Sequence, residues 1–236
     1  MKLVRVCVVS FVASVTGAGA LASESSAGTV VGKLELPAPP ERPGIVVKGF
    51  LDRVENPLAE VRKVAVTPHM IVVLEGDAAK VESPGQVSWD LVGESFARPV
   101  VGAPVGAEIV IRNVSKTART LVAREDAKLI PSGPINPTGP KSFRPTEPNI
   151  YTIGDKDAPH LRGTLVVVNT KHIATVDASG KFELLDVPEG SYKLRVFYKD
   201  NWIERTDDTV NVGAKGKTEV SVKVPVGYPL VGAPKK

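Results

Sequence analysis

"ATVDASGKFELLDVPEGSYKLRVFYKD", residues 174–200, is the stretch whose reading decides the fold class. Asp177-Ala178-Ser179-Gly180 supplies a turn whose glycine tolerates a positive φ. Phe182 and Leu184 then fall on one side of the strand that follows, Pro188-Glu189-Gly190 makes a second turn, and Tyr192 opens the next strand. There Tyr192, Leu194, Val196 and Tyr198 alternate with Lys193, Arg195 and Lys199. Successive side chains on a strand point to opposite faces, so this period predicts half-buried strands with one apolar face and one wet face.

The same period runs outward through the chain. Val30, Gly32, Leu34 and Leu36 share a face in "TVVGKLEL" (29–36), as do Ala107, Ile109 and Ile111 in "AEIVIR" (107–112) and Val220, Val222 and Val224 in "TEVSVKV" (218–224). "MIVVLE" (70–75) and "TLVVVN" (164–169) are apolar on both faces and predict central strands covered on each side. Helical periodicity is nearly absent, and "ENPLAEVRK" (55–63) is predicted to hold one turn at most. With 20 prolines and 21 glycines punctuating the chain at short intervals, the expected fold is all-β: an antiparallel β-sandwich, or two closely packed ones. "PAPPERPG" (37–44) reads as extended, and "PSGPINPTGPKSFRP" (131–145) as a long surface loop whose prolines cannot donate regularly to a ladder.

The first residues, "MKLVRVCVVSFVASVTGAGALASES", carry Lys2 and Arg5, an apolar stretch from Val6 to Val15, and the small-residue site Ala20-Leu21-Ala22. That is the pattern of a cleaved secretory signal over residues 1–22, with an uncleaved membrane anchor as the alternative. No later segment is apolar for long enough to cross a membrane as a helix. The expectation is a periplasmic or secreted protein. Cys7, the one cysteine, lies inside the signal, so the mature chain has no disulfide, no thiolate nucleophile and no cysteine metal ligand. Loss of Lys2 and Arg5 lowers the formal charge from +4 to +2, and the remaining charges alternate in sign. A nucleic-acid binder would show a clustered basic face with interleaved aromatics, so no nucleic-acid partner is expected.

Few residues carry recognisable chemistry. The chain has no G-x-S-x-G, no H-E-x-x-H and no P-loop, which argues against an enzyme. Glu125-Asp126 and Asp207-Asp208 are chain neighbours whose side chains diverge, so they read as solvated turns. Trp89 and Trp202 read as sandwich anchors, with sugar stacking by Trp202 as an alternative. His69, Met70, His160 and His172 are the only imidazole or thioether groups of the mature chain. The three histidines read as ordinary surface or turn residues, the alternative being a periplasmic copper carrier that uses all four. His69 and Met70 are adjacent, so on a strand they could not both face one ion. Asn113-Val114-Ser115 is a glycosylation sequon of little weight.

Two resemblances organise these observations. The turn-G-x-F and P-x-G-x-Y pattern of residues 174–224 resembles the carboxypeptidase regulatory-like family, a transthyretin-like β-sandwich of secreted bacterial proteins, with "GTVVGKLEL" (28–36) as a candidate first strand. That resemblance implies a module that is not catalytic and packs against or displays something else. The order of "MIVVLEG" (70–76), "PVGAEIVIRN" (104–113) and "APHLRGTLVVV" (158–168) resembles a cupredoxin, the plastocyanin/azurin-type copper sandwich. In that family copper takes a histidine after the strand ending in an Asn-containing turn, then cysteine, histidine and methionine before the last strand. Counting back from Arg162-Gly163, the cysteine position falls on Asp155, the second histidine on Ala158 and the methionine on Leu161; the first histidine falls near Arg119 or Thr120. His160 falls where the family carries an aromatic residue. The resemblance therefore implies a scaffold without its copper ligands and no cofactor.

The expected organisation is a signal at 1–22, a cupredoxin-like region at 23–169 with a Pro-rich loop at 131–148, a regulatory-like region at 170–225 and a tail at 226–236. Whether 28–76 complete the first or the second sandwich stays open at this level. The expected role is binding or structural, toward an unidentified protein or cell-envelope partner, with no transmembrane segment in the mature chain.

Overall fold

A computed structural model describes residues 27–36, 65–76, 81, 83–203 and 209–225. The signal segment, the stretches at 37–44 and 55–63, Asp207-Asp208 and the tail at 226–236 lie outside the described residues.

The described chain forms strands β1 (Ala27–Glu35), β2 (Met70–Glu75), β3 (Gln86–Val92), β4 (Ser95–Phe96), β5 (Val100–Pro104), β6 (Glu108–Asn113), β7 (Leu121–Ala123) and β8 (Pro140–Phe143). They continue as β9 (Ile150–Asp155), β10 (Arg162–Val168), β11 (Ile173–Thr175), β12 (Lys181–Pro188), β13 (Gly190–Tyr198), β14 (Asn201–Ile203), β15 (Thr209–Val212) and β16 (Lys217–Lys223). One 3-10 turn, Thr67–His69, precedes β2. The all-β sandwich architecture is as expected, although β1/β16, β3/β6 and β5/β10 pair in parallel while the other ladders are antiparallel.

Among the described residues, four sheets stack in a defined order. The outer sheet β12-β1-β16 packs on β11-β2-β13-β14, with β15 also on β13, and their shared core holds Val30, Leu34, Val72, Leu74, Phe182, Tyr192 and Leu194. At the other end, β4-β3-β6-β8 packs on β5-β10-β9-β7 around Trp89, Ile109, Ile111, Leu165 and Val167. The two inner sheets then meet through a third core made of Ile71, Val73, Val100, Val166, Val168 and Phe197. This explains why "MIVVLE" and "TLVVVN" are apolar on both faces. Val72 and Leu74 enter one core while Ile71 and Val73 enter another, and Leu165 and Val167 do the same opposite Val166 and Val168. Each fully buried Val, Ile or Phe of this middle layer stabilises it by about 1.5–3 kcal/mol, so the two sandwiches form one body. Gly102 of β5 lets the inner sheets approach closely, since a Cβ there would lie 2.6 Å from Ile173 Cγ2 and 2.9 Å from Ile71 Cδ1.

Strand pairing bears on two readings. Which sandwich residues 27–35 and 70–75 complete was open in the sequence, and the ladders place them apart from β3–β10: β1 pairs with β12 and β16, and β2 with β11 and β13. The stretch from β3 to β10 is therefore inserted between β2 and β11, which are neighbours in one sheet. The Pro-rich segment is also more ordered than a surface loop. Pro140–Phe143 is an edge strand on β6, with proline at its first position where no N–H is required. Ile135 is buried and exchanges both backbone hydrogen bonds with Arg119, and Lys141 Nζ donates to the carbonyls of Pro131, Ser132 and Gly133. A third expectation holds in part: β13 has its Tyr192-to-Tyr198 face buried, but its other face is wet only in places, because Phe197 enters the middle core.

The turns of the quoted stretch form as read. Asp177 Oδ1 accepts hydrogen bonds from Ser179 N, Ser179 Oγ and Lys181 N, and the Lys181 bond is the main cause of its lowered pKa. Gly180 has φ 82°, and a Cβ there would lie 2.8 Å from Leu34 O. Tyr192 Oη donates to Pro188 O at 2.8 Å, closing the second turn.

Candidate functional site

The residues at the four counted ligand positions converge at one end of the inserted sandwich. The β6–β7 connection brings Arg119 and Thr120 against the β9–β10 connection, where Lys156 N donates to Thr120 O at 2.9 Å. The latter connection closes on itself, Leu161 N donating to Ala158 O and Asp155 N to Leu161 O. Ala158 and Leu161 are buried in the core of this sandwich. Arg119 Nη1 lies 3.4 Å from Asp155 Oδ2, with the Asp155 side chain 1% exposed and that of Arg119 13% exposed. Asp155 Oδ1 also accepts Asp157 N at 3.0 Å. Farther out, Arg119 Nη2 is 3.8 Å from Glu94 Oε1, and Glu94 Oε2 is 3.3 Å from the exposed His160 Nε2. The order is thus Asp155, Arg119, Glu94, His160, running from buried to exposed, with Arg119 Nε buried and without a hydrogen-bond partner.

This set does not fit a copper ion of the cupredoxin kind. Such an ion takes imidazole and sulfur donors, whereas alanine and leucine side chains have no lone pair to offer. A guanidinium stays protonated and presents donors only. Its positive charge lies against Asp155, the one carboxylate among the four positions, and would oppose a cation there.

The other candidate ligands are dispersed. Met70 is buried in the core between β2 and the outer sheet, while its neighbour His69 is half-buried, its pKa lowered by burial and then by Lys199. His172 is buried edge-on to Tyr192, ring centroids 6.1 Å apart, with Nε2 unpartnered and its pKa lowered mainly by burial. Among the described residues, no group of three or more His, Cys, Asp or Glu side chains is placed to hold a metal ion.

Trp89 is a core anchor, stacked on Phe96 at 4.2 Å and donating through Nε1 to Arg98 O. Trp202 is half-buried, with the Arg195 guanidinium 4.0 Å over its ring and Phe197 edge-on at 5.2 Å. A sugar stacking on the face that Arg195 covers would have to displace it. Glu125 caps Thr152, accepting from both its N and Oγ1, while Asp126 accepts Lys128 N, so these neighbours serve separate local contacts. The sequon asparagine is fully buried: Asn113 Nδ2 donates to the carbonyls of Thr117 and Ile135, and its Oδ1 accepts from Ser115. Sequence reading missed Glu94 and the Glu75–Arg195 pair (2.9 Å), and no motif marks either of them.

No family model matches the chain, and no curated protein matches it. It is similar to solved structures of amicyanin, a cupredoxin. A reduced tryptophan-to-tyrosine mutant of amicyanin is 16% identical over 41% of this chain and 98% of that one, with a TM-score of 0.33. An oxidized methionine-to-lysine mutant is 19% identical over the same shares, with a TM-score of 0.32. A methionine-to-alanine mutant in the Cu(I) form gives the same identity and TM-score. The sandwich architecture itself stands on the strand pairing and the three cores described above.

Proposed function

We propose that this chain is a non-catalytic binding or structural protein of the periplasm or extracellular space, in which a cupredoxin-like sandwich keeps a buried charge pair at the position where that family holds copper. The observation that carries the reading is the Arg119–Asp155 pair, set in connections whose Ala158 and Leu161 are buried in the apolar core. A buried ion pair costs desolvation and is a poor source of stability, but it ties its two loops together in one arrangement. Arg119 and Asp155 therefore act here as a clip between the β6–β7 and β9–β10 connections. The absence of hydrolase and nucleotide-binding motifs from the sequence supports the non-catalytic part. The basic start, apolar stretch and Ala20-Leu21-Ala22 site support export. The partner is a protein or other component of the cell envelope, and no cofactor is required.

The test is a titration of purified mature protein with Cu, Zn and Ca, followed by metal analysis and thermal unfolding. The expected result is no retained metal and an unchanged Tm with each ion. Tight, saturable copper binding, or a blue protein, would overturn the reading.

A further inference from the structure

On the far side of the middle core the two inner sheets part, leaving a cleft of about 680 Å³ between the ends of β2 and β10, the start of β9, and the faces of β13 and β14. That volume is in the range of small-ligand sites, roughly 300–1,000 Å³. Ile150 and Trp202 give it apolar surface, while Glu75, Asn149, Asn169, Lys193 and Arg195 are its polar lining. Lys193 and Arg195 are two apart on β13 and so share a face.

We propose that this cleft binds a small organic carboxylate with a ring-sized apolar body. Arg195 is held on two sides, by Glu75 Oε1 at 2.9 Å and by the Trp202 ring at 4.0 Å, which fixes its planar fork before any ligand arrives. Its side chain is still 32% exposed, so N–H groups that Glu75 does not use remain accessible. Lys193 has no ion-pair partner among the described residues, and Glu75 is already engaged by Arg195, which leaves the lining with one surplus positive charge. Two cationic side chains against one carboxylate thus sit beside apolar surface. That combination selects an acceptor-rich anion with a hydrophobic face over a neutral sugar or a bare inorganic anion. The site lies at the opposite ends of β9 and β10 from the Arg119–Asp155 pair and does not depend on the reading of that end.

The experiment is calorimetric titration of the full-length mature protein with benzoate and glucuronate, with their neutral counterparts benzamide and glucose, and with inorganic phosphate. Fluorescence is followed in parallel, because Trp202 lines the cleft while Trp89 is buried in the other sandwich. Saturable binding of benzoate or glucuronate is expected, with the neutral counterpart weaker by about tenfold or more and Lys193→Gln weakening the anion by a similar factor. Lys193 is exposed, so this variant keeps the fold. Equal binding of acid and neutral forms overturns the proposal. So do phosphate binding as tight as the carboxylates, Lys193→Gln without effect, and no saturable response to any probe.

Discussion

Removing one member of the Arg119–Asp155 pair should cost more than removing both. Arg119→Met leaves the Asp155 carboxylate, 1% exposed, with the Asp157 N–H as its remaining charge-stabilising contact. Breaking a buried pair from one side costs about 3–5 kcal/mol, and the retained N–H places this variant near 3 kcal/mol. Asp155→Leu leaves a guanidinium that is 13% exposed and still has Glu94 at 3.8 Å on its outer side, so about 2 kcal/mol is expected. The double variant replaces both groups by apolar ones and should cost about 1 kcal/mol or less. For a chain of this size, 1 kcal/mol moves Tm by about 2–4 °C, so Arg119→Met should unfold about 6–12 °C early and the double variant close to wild type. The assay is urea and thermal unfolding of the four proteins of a double-mutant cycle. Single costs that add to within about 0.5 kcal/mol would show that the two side chains do not act as a pair, and the clip would have to be given up.

Two further predictions concern the junction of the sandwiches. Gly102→Ala should destabilise by about 1–3 kcal/mol in urea, because its Cβ meets Ile173 and Ile71 inside the middle core, and Ile71→Val in the same chain should recover part of the loss; a neutral Gly102→Ala would mean that the inner sheets are not closely packed. His172 gives stability a pH dependence: burial, with Lys171 adding and Asp186 opposing, holds its pKa below the ordinary 6.5. The unfolded chain then binds more protons than the native one below about pH 6.5, so stability falls as pH drops and levels off once the native imidazole is itself protonated. His69 carries the same sign, through burial and Lys199, so His172→Gln should reduce the difference in urea midpoint between about pH 7.5 and about pH 5 without abolishing it. An unchanged or larger difference would exclude His172 as a source.

The strand faces were legible before any coordinates because burial follows a period of two, which is local. Val30, Leu34, Ile109, Ile111, Tyr192 and Leu194 are all buried where alternation put them, and the Asp177 and Pro188 turns form where glycine and proline were placed. The double-sided runs of β2 and β10 also announced that something covers both faces. What covers them was not legible, since the partners of Val73 and Val166 are each other's sheets, joined across an insertion. Strand neighbours are chosen by long-range pairing, and β1 could have completed either sandwich until its ladders with β12 and β16 were seen. The edge strand β8 was hidden because a proline at a strand's first position looks the same in sequence as a proline in a loop. Counting from Arg162-Gly163 named Arg119, Asp155, Ala158 and Leu161, yet only the folded chain brings them together. Spacing along one strand is set by covalent geometry, while a contact between residues 36 positions apart, as in Arg119–Asp155, depends on how the whole stack closes.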